Sequence, residues 1–166
     1  MKVLITGPSG AGKTYLSMVL GRSGISTVDL DSIEGLSSWY DGKGNKVKLP
    51  ANVGKEFLDN HSFYWDRNFL INYLKNNPVI YLFGMSGNVF KMIDLFDKVF
   101  YLDVPEKVIK ERLKHQSREN QMGKTEYQQT IVVEYAKKLR RKAKDLKIPF
   151  IDATLSPEKI FDLIKY

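Results

Sequence analysis

The chain has no cysteine and only two histidines among its 166 residues. The absence of cysteine excludes disulfide bonds, thiolate metal sites and catalytic thiols. No apolar run approaches the ~18 residues that a membrane span needs. The apolar run that ends before Thr6 is also shorter than the apolar region of a signal peptide. These absences predict a cytoplasmic protein with no membrane association.

Acidic residues are fewer than basic ones, 19 against 26, which gives a formal net charge of +7. This excess suits an anionic ligand such as a nucleotide, but it also occurs on ordinary solvated surfaces. The basic residues are most concentrated in KKLRRKAKDLK, residues 137–147. We interpret this stretch as the outer face of an amphipathic helix, with contact to nucleic acid as the alternative.

Five short apolar runs are continuous rather than alternating, which is typical of strands covered on both faces in a parallel sheet. They are KVLIT (2–6), ISTVD (25–29), VIYLF (79–83), KVFYLD (98–103) and IPFID (148–152). Segments with helical spacing lie between them. The alternation predicts a single α/β domain over residues 1–166, with a five-stranded parallel sheet between two layers of helices.

Two segments interrupt this alternation. Residues 33–77 are long for a single crossover, and residues 114–129 are polar and contain Gly123. Segments at such places often cover a bound ligand. The first segment contains the aromatic cluster around Trp39 and around Phe63, Tyr64 and Trp65. These rings can stack on a ligand, although packing within the protein is our interpretation for most of them.

The stretch GPSGAGKT, residues 7–14, lies between the first predicted strand and a helical pattern. It satisfies the phosphate-binding pattern G-x-x-x-x-G-K-[ST] at every defined position. Glycines let successive backbone N–H groups point at phosphate oxygens, Lys13 reaches the β and γ phosphates, and Thr14 offers a hydroxyl to Mg²⁺. The predicted nucleotide-binding residues here are Gly7, Ser9, Gly10, Ala11, Gly12, Lys13, Thr14 and Tyr15.

Carboxylates that can complete a magnesium site follow the second predicted strand, in STVDLDS. Asp29 and Asp31 are two residues apart, so we expect them on the same side of an extended chain. We assign Asp29 to the metal together with Thr14, and Asp31 to the acceptor of the phosphate, as a positioning group or general base. A turn or helix-capping role is the alternative for both carboxylates.

Phosphoryl transfer needs cations on the equatorial oxygens, and the planar guanidinium group suits phosphate. Arg118 lies in the second interrupting segment, and Arg112 lies shortly before it. Arg67 lies in the first segment, where we expect it to hold an anionic group of the acceptor. A solvated surface position is the alternative for each arginine.

Four stretches together resemble the small-molecule kinases of the adenylate kinase and shikimate kinase superfamily: GPSGAGKTYL, DLD, VFYLDVPEKVIKERL and FIDATLSPEKI. The resemblance implies a P-loop kinase fold that uses ATP with Mg²⁺. It implies an acceptor-binding insertion over residues 33–77 and an arginine-bearing lid over residues 114–129. It also implies that Arg118 is a catalytic cation, that Arg112 binds the nucleotide, and that Ala153 and Thr154 contact adenine.

The turn after the strand VIYLF departs from both groups of kinases. Adenylate kinases have an Asp-Gly-x-Pro-Arg run there, whereas this chain has FGMSGN, residues 83–88, without the Asp and the acceptor-phosphate Arg. Gly84 and Gly87 resemble the glycine-rich acceptor turn of shikimate kinases. This chain lacks the third consecutive glycine of that turn. We assign Gly84 to the acceptor site, and both a hydroxylated metabolite and a nucleotide stay open as acceptors.

The sequence therefore predicts an ATP-dependent phosphotransferase that acts on a small molecule, as a monomer or homodimer. Its predicted catalytic residues are Lys13, Asp31 and Arg118. The alternatives are a nucleotide-dependent switch or ATPase and a kinase for nucleic-acid ends. A GTPase is disfavoured because no Asn-Lys-x-Asp run occurs, and an AAA-type motor is disfavoured by the length of the chain and the missing sensor-bearing helical domain.

Overall fold

The computed structural model describes residues 1–50, 53–115, 123 and 125–165. The central strands are β1 (Val3–Thr6), β2 (Thr27–Asp29), β6 (Tyr81–Phe83), β7 (Lys98–Asp103) and β8 (Phe150–Asp152). They form one parallel sheet in the order β2-β6-β1-β7-β8. Each strand lies within one of the five apolar runs, so the predicted sheet is confirmed.

The described α-helices are α1 (Lys13–Arg22), α2 (Lys55–Asn60), α3 (Arg67–Asn76), α4 (Glu106–Leu113), α5 (Glu126–Asp145) and α6 (Pro157–Ile164). The long helix α5 begins with a capping box, in which the Thr125 hydroxyl accepts the Gln128 amide and the Gln128 side chain accepts the Thr125 amide. None of these helices is both long and apolar enough to cross a membrane.

The two faces of the central sheet carry separate apolar clusters, because successive side chains of a strand point in opposite directions. Val3 and Ile5 of β1 belong to the cluster with α1 and α6, whereas Leu4 belongs to the cluster with α3 and the second half of α5. Burial on both faces explains why the strands are continuously apolar in sequence. The packed sheet gives fixed positions to the polar residues that follow its carboxyl ends.

A second, antiparallel sheet is formed within residues 33–77. Its strands are β3 (Ser37–Tyr40), β4 (Lys46–Val47) and β5 (Ser62–Trp65), with β3 in the middle. The β3–β4 turn is closed by Asp41, whose carboxylate accepts the backbone amides of Lys43 and Asn45. Trp65, at the end of β5, is buried in the same cluster as Leu4 of the central sheet. The small sheet thus shares a core with the large one.

The turn after β6 ties the small sheet to the central sheet. The Asn88 side chain bonds the Trp65 backbone in both directions: Oδ1 accepts the amide at 2.9 Å, and Nδ2 donates to the carbonyl at 2.9 Å. The buried Ser86 hydroxyl donates to the same Oδ1 at 2.8 Å. The Gly87 amide donates to the Phe63 carbonyl at 2.7 Å. One asparagine thus satisfies backbone groups at the end of β5.

We expect Asn88→Ala to lower the free energy of unfolding by about 2 kcal/mol, because both Trp65 backbone groups and the Ser86 hydroxyl lose their partner. The matched control is Asn76→Ala. The Asn76 amide donates only to the Asn72 carbonyl on the exposed side of α3, so its loss should change stability by less than about 0.5 kcal/mol. Urea unfolding measures both variants, and equal effects would contradict the assigned role of Asn88.

Candidate active site

The predicted phosphate-binding loop connects β1 to α1. Gly10 and Gly12 have φ angles of 86° and 92°, a left-handed conformation that favours glycine. Gly7 meets a different constraint, because a Cβ there would lie 2.9 Å from the Leu102 carbonyl oxygen. Left-handed residues within such a loop turn successive N–H groups toward one point and form a concave site for anions. The loop therefore has the backbone shape that phosphate binding requires.

The amino end of α1 is suited to an anion. Its N-cap residue is Gly12, which brings no side chain to cap the helix, and its first turn contains no acidic residue. The first N–H groups of a helix have no partner within the helix and attract negative charge. Lys13 is buried, and its ammonium donates to the carbonyls of Gly7 at 2.9 Å and Pro8 at 3.1 Å. This donor set fits phosphate oxygens.

Arg112, at the end of α4, joins two parts of the predicted nucleotide site. Its Nη1 donates to the carbonyls of Gly10 at 3.2 Å and Ala11 at 3.1 Å, and its Nη2 donates to the Ala153 carbonyl at 3.0 Å. Next along the chain, the amide and hydroxyl of Thr154 both donate to the preceding carboxylate of Asp152. The structure therefore brings Arg112, Ala153 and the phosphate loop together.

The two carboxylates after β2 have a different arrangement from the expected one. The chain does not stay extended, because Leu30–Ser32 forms a 3₁₀ turn with Asp29 as its N-cap. Asp29 Oδ1 accepts the Asp31 amide at 3.0 Å. The expectation that both side chains share one side of an extended chain is wrong, since the turn ends the alternation of side-chain direction. Asp29 does have the capping role that we gave as its alternative.

Asp31 lies against the turn after β6, where its Oδ1 accepts the Met85 amide at 3.2 Å. Asp31 as a residue is exposed to solvent. The protein that surrounds its carboxylate nevertheless hinders hydration of that group. This raises the pKa of Asp31 to about 6. Lys13 opposes the rise, and the nearby Asp29 carboxylate adds to it. Asp31 therefore lies within the field of the phosphate-loop lysine, and its carboxyl is able to exchange a proton near neutral pH.

Gly84 and Gly87 are required because aromatic rings of β5 lie directly on this turn. A Cβ at Gly84 would lie 2.8 Å from Cζ2 of Trp65 and 3.3 Å from Oδ1 of Asp31. A Cβ at Gly87 would lie 2.8 Å from Cε1 of Tyr64. The structure thus brings Gly84 next to Asp31, the residue with which we assigned it to the acceptor site. Tyr64 and Trp65 also lie against this turn, and Trp65 is packed in the core, as we interpreted for most of these rings.

The arginine predicted to hold the acceptor has other partners. The Arg67 guanidinium forms a two-point ion pair with Asp94 and donates to the Lys91 carbonyl at 2.9 Å. An arginine fixed in this way has its donors turned toward Asp94 and Lys91. The structure therefore gives no support to the assignment of Arg67 to the acceptor. Arg118 and half of the predicted lid, residues 116–122 and 124, lie outside the described residues.

A cavity of about 580 Å³ lies beside the phosphate loop, between α4, α5 and the ends of β7 and β8. Pro8 lines it, whereas Lys13 and Asp31 do not. Arg140 crosses it to form a two-point ion pair with Asp103, at 2.8 and 3.0 Å. Because this arginine is already paired and the cavity lacks the phosphate-loop lysine, we do not place the acceptor there.

Oxygen ligands for magnesium are available at the predicted place. Thr14 offers a hydroxyl in the first turn of α1, and Asp29 offers a carboxylate at the end of β2. In the part of the chain that the structure describes, no three histidine, cysteine, aspartate or glutamate side chains form a metal-binding group. A magnesium ion at this place would complete its shell with nucleotide phosphates and water, as is usual for this ion. The hydroxyl of Thr14 and the carboxylate of Asp29 are oxygen donors of the kind that magnesium binds.

These features define a P-loop α/β protein, with the phosphate loop after the middle strand of a parallel sheet. Residues 3–135 match a protein family described as "AAA domain". The match spans most of the chain, and the chain belongs to this family. Beyond residue 135, where the match ends, the described residues form the end of α5, then β8 and α6. These elements do not make a separate helical domain. None of the curated proteins compared with the chain matches it.

Solved kinases share the fold at low sequence identity. Deoxyadenosine kinase from M. mycoides with bound dATP is 17% identical, with a TM-score of 0.54 over 99% of this chain and 97% of that one. Shikimate kinase from Acinetobacter baumannii in complex with shikimate is 16% identical, with a TM-score of 0.57 over 98% and 92%. A gluconokinase from Sinorhizobium meliloti is 13% identical, with a TM-score of 0.52 over 97% and 87%. The predicted P-loop kinase fold is confirmed.

We expect the free energy of unfolding of the Asp31→Asn variant, relative to that of the natural protein, to increase as the pH rises. The pKa of Asp31 in the folded protein, about 6, lies above that of an unfolded aspartate. The folded state therefore binds this proton more tightly, and the protein loses stability between about pH 4 and pH 7. Asparagine has no proton to lose and avoids this loss. Thermal unfolding of both proteins in metal-free buffer from pH 4 to 8 measures the difference.

Asp41→Asn is the control, because hydrogen bonds from Asn45 lower the pKa of Asp41. The stabilising effect of this carboxylate is present above the pKa of an unfolded aspartate and is lost only as the pH falls through its lowered pKa. Asp41→Asn should therefore be destabilising by a constant amount from about pH 5 to 8. If the stability difference between Asp31→Asn and the natural protein is equally independent of pH, the raised pKa of Asp31 is contradicted.

Proposed function

We propose that the protein is an ATP-dependent phosphotransferase, which moves the γ-phosphate of ATP to a hydroxyl group of a small molecule. One observation carries this proposal: the phosphate loop with Lys13 and the glycine turn that bonds Asp31 follow the neighbouring parallel strands β1 and β6. Donors for a phosphate and an acceptor for a hydroxyl proton thus lie close together. Solved kinases of this fold named for deoxyadenosine, shikimate and gluconate support a small acceptor.

In the proposed reaction, the acceptor oxygen forms a bond to the γ-phosphorus, and the bond from that phosphorus to the β–γ bridging oxygen breaks. ADP leaves, and the hydroxyl proton passes to Asp31. Lys13 and the first amides of α1 stabilise the charge on the phosphate oxygens. Magnesium, held by Thr14 and Asp29, would neutralise charge on the β and γ phosphates.

The remaining assignments complete this proposal. The loop residues Gly7, Ser9, Gly10, Ala11 and Gly12, together with Tyr15, contact the nucleotide. Arg112 fixes the phosphate loop against the segment with Ala153 and Thr154, which contacts adenine. Residues 33–77 bind the acceptor, and residues 114–129 form a lid with Arg118 as catalytic cation. A cytoplasmic monomer or homodimer stays the expectation from sequence.

The test of the donor site is Lys13→Ala. The variant should lose ATP-dependent phosphorylation by a factor of about 100 or more, because a preorganised cation on the transferred group is removed. The matched control is Lys138→Ala, since Lys138 is an exposed lysine of α5. Calorimetric titration with ATP measures nucleotide binding by the two variants. Release of ADP in the presence of a mixture of acceptors measures their turnover. Unchanged ATP binding and turnover in Lys13→Ala would contradict the proposed function.

A further inference from the structure

We propose that the acceptor is a neutral molecule with a flat ring, as a nucleoside is, and that acceptors with a phosphate or carboxylate group are rejected. This inference rests on the proposed phosphotransferase function and names the acceptor class of the same site. Three features carry it: the rings that lie on the turn after β6, the charges around Asp31, and a buried donor without a partner.

The rings offer a stacking surface beside Asp31. Tyr64 lies on Gly87 and keeps 38% of its surface exposed. The Tyr135 phenol of α5 lies close enough to Tyr64 for the two to interact electrostatically. The main chain also brings Tyr64 near Asp31, because Gly87, on which Tyr64 lies, is in the same turn as Met85, which donates its amide to Asp31. Exposed aromatic faces of this kind bind the flat face of a base or ring.

The charges at the same place disfavour an anionic acceptor. The charged side chains that act on Asp31 are the Asp29 carboxylate and the Lys13 ammonium, and Lys13 belongs to the donor phosphate. Three of the five arginines that the structure describes are already engaged: Arg67 is paired with Asp94, Arg140 is paired with Asp103, and Arg112 binds backbone carbonyls. Among the described residues, a phosphate or carboxylate on the acceptor would meet the Asp31 carboxylate with no bidentate arginine beside it, which opposes its binding.

A buried polar group at this turn lacks a partner. Trp65 is only 2% exposed, and its Nε1 has no hydrogen-bond acceptor in the described part of the protein. Nε1 is joined to the ring carbon next to Cζ2, and Cζ2 lies on Gly84, so the free N–H lies near that glycine. An unpaired buried donor is unfavourable. A ligand with a carbonyl, ring nitrogen or hydroxyl group would offer the acceptor that this donor lacks. Carboxylate and phosphate oxygens also accept hydrogen bonds, so the preference for a neutral ligand follows from the charges at the site and not from this donor.

The experiment compares matched pairs of acceptors. Adenosine, cytidine, guanosine, uridine and their deoxy forms are each assayed beside the 5′-monophosphate, with shikimate and gluconate as carboxylate-bearing acceptors. ADP release and product mass report phosphorylation by ATP with Mg²⁺. We expect at least one nucleoside to have a kcat/KM about 100-fold above its monophosphate and above both acids. Greater activity on a monophosphate or an acid would overturn the inference, and so would the absence of nucleoside phosphorylation in a protein that binds ATP.

Failure of the proposed function has a different signature, because a protein that binds no ATP, or whose Lys13→Ala variant behaves as the natural protein does, is not a kinase of this type. The acceptor class is tested separately by Tyr64→Leu, which keeps an apolar contact with Gly87 but removes the ring. It should raise KM for the nucleoside about tenfold and leave kcat and KM for ATP nearly unchanged. Tyr64→Phe should retain the natural KM, and an unchanged KM in Tyr64→Leu would overturn the stacking role.

Discussion

The two hydrogen bonds between the Asn88 side chain and the Trp65 backbone are the constraint on which the acceptor side of the protein depends. They fix β5 on the turn after β6, and the same turn donates an amide to Asp31. The close approach leaves no room for side chains at Gly84 and Gly87. A segment outside the parallel sheet is thereby held at the sheet's carboxyl end.

The donor side is held together by Arg112, which bonds the carbonyls of the phosphate loop and of Ala153. A guanidinium has enough donors in one plane to bind several carbonyls at once. The donor and acceptor sides meet where Lys13 acts on Asp31. On each side, a side chain that bonds backbone groups, Asn88 or Arg112, joins separate segments of the chain, and the charges that perform the proposed chemistry lie between them.

Local patterns predicted much of this arrangement, and non-local contacts account for the rest. The strands and the phosphate loop followed from short stretches of sequence, and the assignment of Gly84 to the acceptor site followed from the resemblance to shikimate kinases. The extended course of the chain from Asp29 to Asp31 was predicted wrongly, because a capping turn forms there. The ion pair of Arg67 with Asp94 joins residues 27 positions apart, and Asn88 bonds a residue 23 positions away. No spacing rule within one helix or strand indicates such partners.

The sequence separations of these contacts also bear on the order in which the protein assembles. Lys13 bonds a carbonyl only 6 positions away in its own loop, whereas the Asp31–Met85 bond spans 54 positions. Contacts between distant residues form more slowly because a longer loop must close first. The Lys13 bonds can thus form as soon as β1 and α1 meet, whereas the bonds of Arg112 to Gly10 and Ala11 span 102 and 101 positions and need α4 in place. The acceptor site can form only after β2, β5 and β6 have come together, so the complete site is a late product of folding.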